Sequence, residues 1–189
     1  MIKLILIFLM LLTISKIAWS SAHDHGLQLD VKINGRLYDI NASFDTPLTK
    51  CAAFHFLTDY EGAKKIPGVI ELLANRQATN KVKVDLTADE YVMFFSVRLH
   101  SVMEYTEKKF DSVTFTQLSG DLKTFQGKWD IEPSQQGSTL RFKGVLERDT
   151  KIPLVIVDFF VKSSLINKFG AIADMAEKHK DMQENNCGD

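Results

Sequence analysis

Few residues in this chain combine a reactive type with a telling spacing. His23-Asp24-His25 is one such group. If the chain is cut after Ala22, the free amine, two backbone amides and the His25 imidazole make the square-planar nitrogen set that copper(II) and nickel(II) prefer. An unbound, disordered terminus is the ordinary expectation for such a stretch, so no resident metal is expected. Arg76 and Tyr105 share the strand parity of Leu72 and Met103. Inside an apolar pocket either would hydrogen-bond a ligand carbonyl or head group. At a strand end each would pack its stem and keep its tip in water, which is the commoner arrangement. Asp158 and Lys162 stand four apart on one side of a helical run, as an intrahelical ion pair does. A pair at a pocket mouth, meeting a ligand head group, would look the same. His100 falls on the outward parity of its strand. Cys51 and Cys187 are the only cysteines; a disulfide and two free thiols are both open.

Reactive motifs are otherwise missing. There is no His-Glu-x-x-His helix, Gly-rich phosphate loop, Gly-x-Ser-x-Gly elbow or Cys-x-x-Cys. No cofactor is implied. No His, Asp or Glu is read at an inward strand position, which speaks against proton-shuttling chemistry and leaves no catalytic residue to name. The 189 residues carry a net charge of -1 and are 45% hydrophobic, so nucleic acid is not an expected partner.

The elements that would position any site begin after a leader. Met1-Ile2-Lys3, the apolar run Leu4 to Ile14 and the small residues Ser20-Ser21-Ala22 read as an export signal. Cleavage is expected near Ala22, giving a periplasmic or secreted protein with one domain over 23–183 and a polar tail over 184–189. No cysteine follows the apolar run, so a lipid anchor is not expected.

Alternation then sets in. Leu27 to Ile33 and Arg36 to Phe44 form a strand pair joined at Asn34-Gly35. Thr49 to Leu57 and Thr58 to about Lys65 read as two short helices, the second stopped by Pro67-Gly68. A meander of five or so strands follows: Val69 to Gln77, Lys81 to Leu86, Tyr91 to Lys108, Ser112 to Leu118, Lys123 to Glu132, and on through Leu146. Ala88-Asp89-Glu90 is read as a break. The run from Ile152 to Lys180 is a long helix beginning at Pro153. Val161, Leu165, Ile166, Phe169, Ile172, Ala173 and Ala176 make its apolar stripe. Leu154 to Phe160 is apolar all round, so it must meet protein, a ligand or a membrane surface. Hairpin-length connections make the sheet antiparallel, and its apolar face needs a partner layer. The long helix is the only large apolar element left, so the fold class is α+β, with a curved sheet wrapped around that helix.

Several stretches resemble one superfamily. They are Phe54-His55-Phe56-Leu57-Thr58-Asp59-Tyr60-Glu61 with Pro67, Phe125-Gln126-Gly127-Lys128-Trp129, Gly137-Ser138-Thr139-Leu140, and Pro153. Together, over Tyr38 to His179, they resemble the START-like helix-grip (SRPBCC) proteins, in particular the polyketide cyclase/dehydrase and coenzyme-Q-binding branch. The resemblance implies an apolar tunnel between sheet and helix for a lipid, quinone or polyketide-like ligand. It carries no shared catalytic residues. The leader and the Leu27 to Ile33 strand depart from the cytoplasmic and mitochondrial members.

In such a fold the core lines the tunnel. The expected lining is Phe54, Leu72 and Arg76 from the first half, and Leu99, Met103, Tyr105 and Phe115 from the central strands. Phe125, Trp129 and Phe142 follow, with Phe160, Val161, Leu165 and Phe169 from the helix. Leu154 to Phe160 is expected at the mouth, where a membrane is touched. Binding or transport of a hydrophobic ligand is the expected function. A cyclase or dehydratase using the same tunnel and a membrane- or partner-docking module are the alternatives.

Overall fold

The computed structural model describes residues 26–92, 95–147 and 154–179, with side chains except at 91, 92, 95 and 154–163. The leader, His23, His25, the Asp158–Lys162 pair, the side chains of Leu154 to Phe160 and of Val161, and Cys187 lie outside the described residues or side chains.

Strands β1 (Gln28–Asn34) and β2 (Leu37–Thr46) form the first hairpin. Asn34 pairs with Leu37, so the turn residues are Gly35 and Arg36. Gly35 takes the first of the two places with φ 62°, where a side chain would be strained. Along β2, Tyr38, Ile40, Ala42 and Phe44 are all buried, while Leu37, Asp39 and Ser43 are not. The alternation in the sequence therefore gives the correct inward face.

Helix α1 (Lys50–Thr58) starts at Thr49, whose Oγ1 accepts a hydrogen bond from the Ala52 N–H at 3.3 Å. Cys51 on this helix is disulfide-bonded. The expected second helix is a single 3-10 turn, Gly62–Lys65. Its N-cap is Glu61, which makes no side-chain cap bond, while Asp59 Oδ1, two residues earlier, accepts from the Gly62 N–H at 2.9 Å. Only a few residues separate that cap from Pro67, too few to establish an α-helix.

Six strands complete the meander: β3 (Val69–Ala78), β4 (Lys81–Val92), β5 (Phe95–Lys108), β6 (Ser112–Gly120), β7 (Thr124–Ser134) and β8 (Gly137–Glu147). The sheet order is β1-β2-β8-β7-β6-β5-β4-β3, antiparallel throughout. The break read at Ala88-Asp89-Glu90 does not exist. Those residues continue β4 in register with Leu99, Arg98 and Val97. Asp89 is held on the outer face by Arg98, whose Nε and Nη2 donate to its carboxylate at 2.7 and 2.9 Å. A cross-strand ion pair offsets the poor strand propensity of aspartate.

Helix α2 (Leu154–Lys178) closes the chain. Phe169, Ala173 and Ala176 are buried, with Leu165 and Ile172 half-buried beside them. Ile166 is 54% exposed, contrary to its place in the expected stripe. One residue is a turn of about 100° along a helix, which carries Ile166 off the face that Leu165 presents.

Candidate functional site

The inner face of the sheet does not close fully on α2. A cavity of about 310 Å³ lies between them, walled mainly by aliphatic and aromatic side chains. A second, of about 370 Å³, opens toward α1 and the 3-10 turn. Ile66, Leu86, Met103, Tyr105, Trp129 and Ile172 line both, so the two spaces share one waist.

The floor is aromatic. Trp129 meets Phe142 at 5.0 Å between ring centroids, Phe142 meets Phe169 at 5.3 Å, and Phe115 meets Phe125 at 4.9 Å. Glycine makes room for these rings. Gly127 and Gly144 face each other across β7 and β8. A Cβ on Gly127 would come within 2.7 Å of Phe115 and 2.9 Å of Phe142; one on Gly144 would come within 2.6 Å of Phe142. The rings lie over the sheet where a side chain would otherwise stand.

Of the expected lining, Leu99, Met103, Tyr105, Phe115, Phe125, Trp129, Phe142, Leu165 and Phe169 do line the first cavity. Leu72 lines the second. Two do not belong. Phe54, on the buried face of α1, packs against Phe110 with centroids 5.6 Å apart, because α1 lays that face over one end of the sheet. Arg76 lines neither cavity, and its side chain is half exposed. Its Nη1 and Nη2 donate to the two oxygens of Glu107 at 2.9 and 3.0 Å. His100 is exposed, as its parity indicates, with Nε2 2.8 Å from Asp85 Oδ1.

The absence of inward carboxylates is also corrected: Glu90 and Glu107 are both buried. Glu107 follows Met103 and Tyr105 on the same parity of β5. It accepts from the Tyr60 hydroxyl at 2.9 Å as well as from Arg76. Burial, and then the Glu107 carboxylate, push the Tyr60 hydroxyl far above its usual range. Burial does the same to Tyr105. Among the described residues, the Tyr105 hydroxyl at the waist has only the Met103 sulfur as acceptor, 3.9 Å away.

Glu90 lines the first cavity, together with Lys168. Its Oε1 lies 2.7 Å from Lys168 Nζ, and its Oε2 accepts from Ser164 Oγ at 3.0 Å. Ser164 and Lys168 are one helical turn apart, so both reach the same carboxylate. Lys168 Nζ also donates to the Pro67 carbonyl at 3.0 Å. Gly68 holds that loop close: at φ 89°, a Cβ there would sit 2.7 Å from the Asp89 carbonyl and 3.2 Å from Lys168 Nζ. The sequence does carry a signal for Glu90, since Val82, Val84, Leu86, Ala88 and Glu90 share one parity once β4 is read without a break. Among the described residues no cluster of His, Cys, Asp and Glu could hold a metal ion.

Comparison with known proteins accords with this architecture. A family model described as "Polyketide cyclase / dehydrase and lipid transport" matches residues 47–169. The chain belongs to that family. No curated protein matches it by sequence. Among solved structures, the family fold recurs in a STAR-related lipid transfer protein from Xanthomonas axonopodis, at TM-score 0.63 and 12% identity, covering 80% of this chain and 98% of that one. The Zhui aromatase/cyclase from a Streptomyces species superposes at TM-score 0.62 and 10% identity, over 74% of this chain and 93% of that one. A Thermus thermophilus protein does so at 0.62 and 16%, over 75% and 95%. At such identities the likeness is one of fold.

Proposed function

We propose that this family member is a carrier that holds one apolar ligand, such as a lipid, a quinone or a polyketide-like molecule, between the sheet and α2. The observation that carries the reading is the aromatic and aliphatic wall shared by the two cavities, with Trp129 and Tyr105 at their waist. Removing roughly 350 Å² of ligand apolar surface from water at about 25 cal/mol per Å² yields about 9 kcal/mol before association costs, enough for useful affinity with few polar contacts. One solved structure of the same fold is a lipid transfer protein, which fits a carrier. Export behind the 1–22 leader, with cleavage near Ala22, would place the carrier in the periplasm or outside the cell. Leu154 to Phe160 would then meet the membrane from which the ligand is taken. Native mass spectrometry of the purified protein, with extraction of what it retains, tests the reading. A co-purifying apolar compound at one per chain is expected. A protein that retains none, and takes up none of a lipid and quinone panel, contradicts it.

A cyclase-type enzyme is the second reading, favoured by one observation: Glu90 is a buried carboxylate on the cavity wall beside Lys168. Such a pair can carry a proton to or from a bound polyketone. Conversion of a polyketone substrate, lost on Glu90→Gln, would establish it. Its absence leaves the carrier.

A further inference from the structure

Among the described residues, the wall of the first cavity carries one charged pair, and its donors are not all used. Lys168 ammonium has three N–H groups. One goes to Glu90 and one to the Pro67 carbonyl. Glu90 spends its other oxygen on Ser164. The third Lys168 donor has no partner among the described residues, and the residue lines the cavity. A buried ion pair is a costly thing to keep in an apolar wall when two well-packed apolar side chains would be at least as stable. We propose that the pair is a ligand-orienting site: Lys168 donates to a carbonyl oxygen of a neutral ligand, a ketone, ester or quinone, whose apolar remainder runs along the aromatic floor toward Trp129.

The charge balance selects the class. Lys168 and Glu90 together are neutral, so a carbonyl adds a hydrogen bond without adding charge. A carboxylate would bring an uncompensated negative charge into a space already holding Glu90, at a desolvation cost the remaining donor does not offset. A hydrocarbon would bind by burial alone and leave the donor unmet. Glu90 also acts on Lys168 as a positioning residue, since Glu90 and Pro67 fix the direction of the free N–H.

This rests on the proposed ligand-binding role, and the experiment separates the two. Three probes of equal chain length, a long-chain methyl ketone, the alkane and the fatty acid in its ionised form, are titrated into the whole protein by displacement of an apolar fluorophore. The ketone is expected to bind about tenfold more tightly than the alkane, as a charge-assisted hydrogen bond allows, and more tightly than the acid. In a Glu90→Leu/Lys168→Met double variant the ketone should fall to the level of the alkane, with alkane binding kept. The infrared C=O stretch of the bound ketone, read in the wild-type protein, should move to lower frequency, and needs no variant to fold. Equal binding of ketone and alkane, tighter binding of the acid, an unshifted C=O stretch, or a ketone preference surviving in the double variant would each overturn the assignment while leaving the carrier standing. Binding of none of the three would overturn both.

Discussion

Glu90 and Lys168 lie 2.7 Å apart across the interface between β4 and α2, with the carboxylate 8% and the lysine 18% exposed. The pair ties together the two layers that enclose the cavity, and through the Pro67 carbonyl it also fixes the loop entering β3. An ion pair so placed is structural as well as chemical, and its two halves should not be separable.

Removing only the lysine should therefore cost more than removing both groups. Lys168→Met leaves Glu90 buried without its counter-charge, a loss of roughly 3 kcal/mol. The Glu90→Leu/Lys168→Met double variant should lie within about 1 kcal/mol of wild type, because no unpaired charge remains. Urea unfolding of the three proteins measures both numbers. A single variant as stable as the double would mean that water reaches Glu90 freely.

Gly127 should resist even a methyl group. Gly127→Ala places a Cβ 2.7 Å from the Phe115 ring and 2.9 Å from Phe142, both themselves packed against further rings. Overpacking of this kind costs about 1–3 kcal/mol. Denaturant unfolding should show that loss, and displaced Phe115 and Phe142 should narrow the cavity they line. A fully stable Gly127→Ala protein would mean the rings can retreat.

The Tyr60–Glu107–Arg76 triad and Tyr105 predict how the protein fails at high pH. Both phenols are held neutral in the fold, with their pKa raised above the ordinary 10.0. Their contribution to stability is complete below about pH 10, where folded and unfolded chains alike keep the proton. It is lost as pH rises above that, because the unfolded chain then ionises first. Stability should decline above pH 10, and the phenolate absorbance of Tyr60 and Tyr105 should rise together with unfolding. Phenolate appearing in the still-folded protein, with an ordinary midpoint, would contradict the burial. Arg76→Met should lower stability by about 2 kcal/mol at neutral pH, since Glu107 keeps only the Tyr60 hydroxyl.

Much of the fold can be read from the chain because one face of each strand is buried. Period-two alternation locates Tyr38, Ile40, Ala42 and Phe44, and in β7 it sets Trp129 and Ile131 on the core side. The same rule would have found Glu90, but Ala88-Asp89-Glu90 has the composition of a turn. Local propensity suggests an end to β4 where two partners, Arg98 across the strand on one face and Lys168 from α2 on the other, sustain it. Arg76 failed for a related reason. Its parity is that of Leu72, yet a register shift follows it in the edge strand and Glu107 offers a bidentate partner. Lys168 flanks the stripe of α2 rather than interrupting it, and a long side chain on a flank can reach inward as easily as outward. Phe54 is apolar and buried as expected, but a core residue and a cavity residue look alike until the packing of α1 is known.

Trp129 offers the most direct test of a ligand between sheet and helix. The chain has two tryptophans, Trp19 and Trp129, so in a protein starting at His23 only Trp129 remains. Energy transfer from it to an apolar polyene ester reports occupancy of the waist where the two cavities meet. The account predicts saturable transfer at one ester per chain in the wild-type protein. It predicts loss of that transfer in Ala88→Phe, whose ring would fill space on the wall of the first cavity while circular dichroism stays native. Transfer that does not saturate, or that survives Ala88→Phe unchanged, would contradict it.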